Sequence, residues 1–207
     1  MANSARENIL KKIKQALGKP VPVPFPGNTD KTSVYQPGRQ ELELEFAENF
    51  VKLQGRFSFC ANEAELAAQL QELTRTRNWQ SLYCRETGLK EQLATAGYAT
   101  GATDLSTCDA AITGCEYLVA RTGSIMMSSR QPSGRTVSVY APVHICIAYT
   151  DQLVYDIADG FAGFGDGTKL PSMITLASGP SRTADIEKTL VVGVHGPKEV
   201  FCFLVER

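Results

Sequence analysis

The stretch "EVFCFLV", residues 199–205, decides the fold class. Side chains alternate across a strand. Here Val200, Cys202 and Leu204 fall on one face and Phe201, Phe203 and Val205 on the other, so both faces are apolar. A strand buried on both faces belongs in the interior of a sheet covered on both sides, the usual setting of parallel strands. "VHICIAY", residues 143–149, has the same length and a similar character. Val143, Ile145, Ile147 and Tyr149 share one face, and His144, Cys146 and Ala148 the other.

Upstream, helical and strand patterns alternate. "RQELELEFAENFVKLQ" (39–54) reads as a helix closed by Gly55, and "RFSFC" (56–60) as a strand. Asn62 and Glu65 have the spacing of a capping box, ahead of a helix with Leu66, Leu70 and Leu73 on one side. "SLYCR" (81–85), "GLKEQLATAG" (88–97) and "AAIT" (110–113) continue as strand, helix and strand. This order predicts an open sheet with parallel strands and helices on both faces. "GSIMMSS" (123–129) and "TVSVY" (136–140) also alternate. With 143–149 they suggest an antiparallel or mixed section, so the expected class is α/β with an open mixed sheet. "DQLVYDIADGF" (151–161) reads as a helix and "SMITLA" (172–177) as a strand. At the start, residues 3–17 read as a helix with a Ser4–Glu7 capping box and a stripe of Ile9, Ile13, Ala16 and Leu17. Four prolines at alternate positions in "GKPVPVPFPGNTD" (18–30) favour a stiff extended spacer. The expected organisation is a helix and linker over 1–30, then an α/β domain over 31–207.

Composition narrows the function classes. A chain of 207 residues can bury a sizeable core without metal or disulfides. Its net charge of −1 gives no reason to expect nucleic acid as a partner. No apolar run approaches the ~20 residues of a membrane span, and Lys11, Lys12 and Lys14 interrupt any signal-peptide core. The six cysteines form no C-x-x-C pair, and four of them (Cys60, Cys84, Cys146, Cys202) lie in strand-like runs. This pattern suits free thiols in a reducing cytoplasm, and with two isolated histidines it predicts no metal site.

Two segments carry most of the candidate chemistry. In "SGPSRTADIEKTL" (178–190) a strand ends at Ala177, Gly179 and Pro180 turn the chain, and Ser181 or Thr183 is placed to cap a helix starting near Ala184. Asp185 and Glu187 would lie in that helix's first turn. Such a strand–turn–helix presents free backbone N–H groups to an anion at the carboxyl edge of a sheet; the same residues also suffice for a well-capped turn. In "VVGVHGPKE" (191–199) His195 sits between glycines, where it can do acid–base work, donate to an anion, or bond nearby backbone. In "TGCEYLVARTGSIMMSSRQPSGRTVSVYAPVH" (113–144), Thr122, Gly123 and Ser124 make a polar turn flanked by Arg121, Arg130 and Arg135. Arginine forks match carboxylate or phosphate. Glu116 is an isolated acid suited to a nucleophile, a base or an arginine's partner.

Together "ITGCEYLVARTGSI", the following arginine and "PVHI", "SGPSRTADIE" and "VVGVHGPKE" resemble the lactate-utilisation (LUD) domain family, in particular its LutC/YkgG branch. The resemblance implies a fold similar to the ribose-phosphate isomerase and CoA-transferase (NagB/RpiA) superfamily, which binds phosphorylated or CoA-like ligands. It also implies a subunit of a system oxidising L-lactate to pyruvate beside iron–sulfur partners of the LutA/LutB type. The clusters would sit on those partners and no cofactor on this chain. The implied site joins Glu116 and His195 as catalytic candidates to Arg121, Thr122, Gly123, Ser124, Arg135, His144, Ser178, Gly179, Pro180, Ser181, Thr183, Asp185, Gly196 and Lys198 around a small organic or phosphorylated anion. One departure stands out: the family's usual acid in "A-[ED]-T-G-[TS]" is Arg121 here, which leaves Glu116 as the nearest acid. A stand-alone enzyme of the superfamily and a non-catalytic scaffold docking through its N-terminal helix are the alternatives.

Overall fold

The computed structural model describes residues 2–18, 40–101, 104–165, 170–186 and 189–207. The chain divides into two compact units, Met1–Gln36 and Pro37–Arg207. The first contains helix α1 (Ala2–Leu17), with Ile9, Leu10, Ile13 and Leu17 exposed. The Ser4 cap and the proline-rich stretch beyond Gly18 lie outside what is described.

The second unit begins with α2 (Leu42–Lys52), β1 (Arg56–Cys60), α3 (Glu63–Arg77), β2 (Leu82–Cys84), α4 (Thr87–Thr95) and β3 (Ala110–Thr113). This is the expected alternation. The Asn62 cap forms, with its Oδ1 accepting from the Glu65 N–H at 3.0 Å. Glu65 itself accepts from the Ala61 N–H, one residue earlier than a capping box would have it. Next come β4 (Tyr117–Val119), β5 (Ser124–Ser128), α5 (Val137–Tyr140), β6 (Val143–Tyr149), β7 (Leu153–Val154) and α6 (Ile157–Ala162). The chain ends with β8 (Ile174–Ala177), β9 (Arg182–Ile186), β10 (Thr189–Val192) and β11 (Glu199–Val205).

Five strands form one sheet in the order β1-β11-β6-β3-β2, parallel throughout. On one face Leu66 and Leu70 of α3 and Leu89 and Leu93 of α4 cover Ile112, Ile145, Ile147, Phe201 and Phe203. On the other, Phe46 and Phe50 of α2 meet Cys146, Ala148, Val200, Cys202 and Leu204. Leu118, Ile125 and Met127 join this second cluster from a separate four-stranded sheet, β7-β4-β5-β8. So β6 and β11 are apolar on both faces because both faces are covered. All six cysteines are free and buried, as small hydrophobes are.

Four expectations need correction. The antiparallel pairing lies in the separate sheet, where β5 pairs β4 and β8, while β6 sits in the centre of the parallel one. Residues 137–140 are a helical turn, not a strand: Val137 and Ala141, four apart, both bury against Ala111 and Cys108. Pro142 then forces Ala141 to extended backbone and stops the turn. Residues 151–161 are not one helix; β7 comes first, and Asp156 caps the shorter α6 by accepting from the Ile157 N–H. Finally, no helix starts near Ala184. Residues 182–186 pair antiparallel with 189–192 as a hairpin, with Thr183 opposite Val191. Alternation in "RTADI" and "TLVV" satisfies the backbone across strands instead of along a helix.

Two glycines let α2 bridge the layers. Gly123 has φ +57°, and a Cβ there would lie 2.5 Å from the Phe50 nitrogen. Gly179, φ +88°, lies against the Leu53 carbonyl at the end of α2. Asn49 adds hydrogen bonds from Nδ2 to the carbonyls of Ala120 (3.0 Å) and Arg121 (3.2 Å).

Gly123→Ala combines left-handed strain with a backbone clash. It should lower stability by at least about 2 kcal/mol, about 4–8 °C in Tm for a chain of this size. Gly134→Ala shares the positive φ, at +65°, but a Cβ there meets nothing within 4 Å. Thermal melts should therefore show the smaller loss for Gly134→Ala; equal losses would refute the close-approach account.

Candidate functional site

The parallel strands have two ends, and polar groups gather at each. At the amino end β6 and β11 start in register, Val143 beside Glu199. The Lys198 N–H donates to the Pro142 carbonyl at 2.8 Å. Over this joint lies a cleft of about 500 Å³ lined by Val139, Tyr140, Pro142, Val194, His195 and Lys198. It adjoins a second of about 340 Å³ that shares Val139, His195 and Gly196 and adds Ser138, Thr175, Ser178, Gly179, Pro180 and Ser181. Backbone bonds hold the two glycine-rich turns together: Ser181 N–H to Pro197 C=O and Gly193 N–H to Ser181 C=O, both 2.9 Å. Ser178, Gly179, Pro180, Ser181, His195, Gly196 and Lys198 are thus brought together as expected, but by strands rather than by a helix N-terminus. They also stand at the amino end of the sheet. Among the described residues, neither the His195 nor the Lys198 side chain has a hydrogen-bond or ion-pair partner.

The other candidates divide. Ser124 reaches the group, its Oγ 2.6 Å from Ser178 Oγ, though Ser124 is only 2% exposed. Thr122 lies in the tight turn before Gly123, its buried Oγ1 without a hydrogen bond among the described residues. Arg121 pairs with Asp156 at 2.7 Å and holds that carboxyl below the usual carboxylate range. Its charge is therefore used inside the chain. Arg135 donates to Ser172. Thr183 and Asp185 lie on β9, and the Asp185 side chain is outside what is described. His144 is 0% exposed, 2.8 Å from Thr113 Oγ1. The Thr113 hydroxyl donates to Gly114 C=O, so His144 Nε2 carries the proton and donates to it, while Nδ1 has no partner among the described residues. Burial lowers the His144 pKa to about 4, which keeps the ring neutral.

At the carboxyl end, a cavity of about 430 Å³ is lined by Glu86, Gly114, Cys115, Gln131, Gln152, Tyr149 and Arg207. Glu86 follows β2 and accepts from the Gly114 N–H at 3.0 Å. Burial holds its carboxyl above the usual range and nearby Glu116 adds to that, while hydrogen bonds from Ser133 and Gly114 pull it back. Glu116 accepts from Ser128 Oγ at 2.5 Å. A carboxyl whose charged form is disfavoured by burial and by a neighbouring acid is the kind of group that serves in acid–base chemistry. Glu116 therefore stands at the opposite end of the sheet from His195, and the two do not share a site. Sequence reasoning missed Glu86. Its one available signal was position, two residues past a strand in a loop at the edge where α/β sheets place ligands. Among the described residues no group of three or more His, Cys, Asp or Glu could hold a metal ion, and no helix is long and apolar enough to cross a membrane.

A family model described as the LUD domain matches residues 44–205, a range that includes all three cavities' principal residues. Lactate utilization protein C of Deinococcus radiodurans is 34% identical over 103 residues, covering 49% of both this chain and that protein. The chain spans about half the length, or less, of this and other curated relatives matched over similar stretches. Uncharacterized protein YkgG of Escherichia coli is 28% identical over 97% of this chain and 98% of its own length. A crystal structure of a DUF162 family protein from Deinococcus radiodurans shares the fold, with a TM-score of 0.59 at 21% identity, covering 82% of this chain and 99% of that one.

The buried imidazole makes stability pH-dependent. An unfolded histidine titrates near 6.5 and folded His144 near 4. The unfolded chain therefore binds the proton first. The neutral ring's contribution is complete above about pH 6.5 and is lost as pH falls toward about 4, on the order of 3 kcal/mol in all. Urea melts between pH 7 and 4 should show this loss in the native protein and a smaller one in His144→Gln. The same acid limb in both would count against His144 as its source.

Proposed function

The chain belongs to the LUD-domain family, and on that premise we propose that it serves in lactate utilisation. It holds a small organic or phosphorylated anion in the cleft of His195 and Lys198, while iron–sulfur proteins of the LutA/LutB type act as its partners and carry the electrons. The observation behind the pathway is the similarity to proteins named Lactate utilization protein C. The observation behind the anion is the pairing of an exposed ammonium with an exposed imidazole over a cleft, neither with a side-chain partner among the described residues. A cation in a walled cleft concentrates anions. The Ser181 and Ser178 hydroxyls beside it supply neutral donors.

A second reading is favoured by one specific feature, the Glu86–Glu116 pair. In it the chain is an enzyme in its own right, of the kind the ribose-phosphate isomerase and CoA-transferase superfamily contains, moving protons at the carboxyl-end cavity. The anion cleft would then be a separate binding site.

Growth tests the first reading. In a host without another route for L-lactate, deleting the gene should abolish growth on L-lactate. The wild-type gene should restore it and Lys198→Ala should restore it poorly. Unimpaired growth of the deletion strain would overturn the lactate role. For the second reading, the purified chain should exchange a carbon-bound proton of a sugar phosphate or acyl-CoA with D2O, about tenfold more slowly in Glu86→Gln with the fold intact; equal exchange in both would remove it.

A further inference from the structure

We infer that the anion held at Lys198 carries a planar ring, which lies against Tyr140. This rests on the anion reading above and adds the ligand's chemical class to it. Tyr140 is 73% exposed, and Val139 beside it 38%. A lone exposed aromatic needs no explanation, but this one lines a cleft of about 500 Å³, within the range of small-ligand sites. The rest of the lining is mostly apolar: Val139, Ala141, Pro142 and Val194, with Lys198 and His195 as its ionisable groups besides the tyrosine hydroxyl. A bare anion such as lactate or phosphate would engage Lys198 and His195 and leave that apolar wall against water. A ring attached to the anion would cover it.

The tyrosine is also held in place beforehand. Val137 and Ala141 are each 1% exposed and anchor the two ends of the turn in the core. The Tyr140 N–H donates to Thr136 C=O at 3.0 Å, and Pro142 ends the turn directly after. The backbone bearing the ring is therefore fixed on both sides while the ring projects. Among the described residues no other ring, cation or hydrogen-bonding group engages it. An aromatic ring carried on fixed backbone in the same cleft as a cation suits a ligand with a flat conjugated ring and a negative group, because such rings stack offset on tyrosine.

Isothermal titration calorimetry on the full chain tests this with three probes: adenosine monophosphate, ribose 5-phosphate and inorganic phosphate. The ring should add about tenfold in affinity, so that adenosine monophosphate binds at least that much more tightly than ribose 5-phosphate. Tyr140→Ala should abolish the difference between the two sugar phosphates. Tyr140→Phe should keep it, and Lys198→Ala should weaken every probe. Equal binding of the two sugar phosphates, a ring advantage that survives Tyr140→Ala, or binding of none of the probes would overturn the inference. If ribose 5-phosphate binds through Lys198 without a ring advantage, the ring fails and the anion site stands. If growth on L-lactate proves independent of Lys198, the lactate role of that site fails while the ring result is untouched.

Discussion

The packing of α2 against two glycines is the contact on which the rest of the second unit depends. Phe46 and Phe50 fill the space between the parallel sheet and the smaller mixed one. Filling it requires the helix backbone to approach closer than a Cβ would permit, and Gly123 and Gly179 provide that approach. Asn49 then ties down the turn before β5, and Arg182 donates to the Leu53 carbonyl. One helix therefore sets the position of β5, of the turn after β8 and of the start of the hairpin. Ser124 and Ser178 can meet only because all three are set together.

This arrangement gives the two ends of the parallel sheet different electrostatics. Lys198 and His195 stand exposed at the amino end, where loops from the hairpin and α5 build walls above the strand starts. Glu86 and Glu116 stand at the carboxyl end, where a loop carboxyl is partly desolvated. The first end presents an ammonium and an imidazole, the second a pair of carboxyls. The strands lie between the two, so neither end supplies side chains to the other.

Between the ends the core tolerates polar groups only when they are neutral. Cys115, Cys146 and Cys202 lie in one buried cluster. Its bond to Cys146 pushes the Cys115 thiol well above its usual range; Cys146 is lowered by its bond to Cys115 but raised further by Cys202, and burial raises both. His144 stays neutral for the same reason. His144, Cys146 and Cys202 fill strand positions and Cys115 lies just past β3; none of the four is an exposed reagent.

Runs such as residues 143–149 and 199–205 were legible as buried strands because their character is local: side chains alternate every residue, and both faces are apolar. The helix–strand order over residues 42–113 was legible for the same reason, as was the gathering of Ser178–Ser181 with His195, Gly196 and Lys198 near one another in sequence. Tertiary structure decided the rest. Whether "TVSVY" coils or extends depends on Ala111 and Cys108 lying where Val137 and Ala141 can bury. Whether Arg121 faces a ligand depends on Asp156, 35 residues away. The turn at 193–198 must stand at the amino end because it precedes β11, but whether the turn after β8 meets it there depends on β8 pairing with β5 in the smaller sheet. Local sequence encodes what a segment can bury; it does not encode which distant surface will be there to bury it.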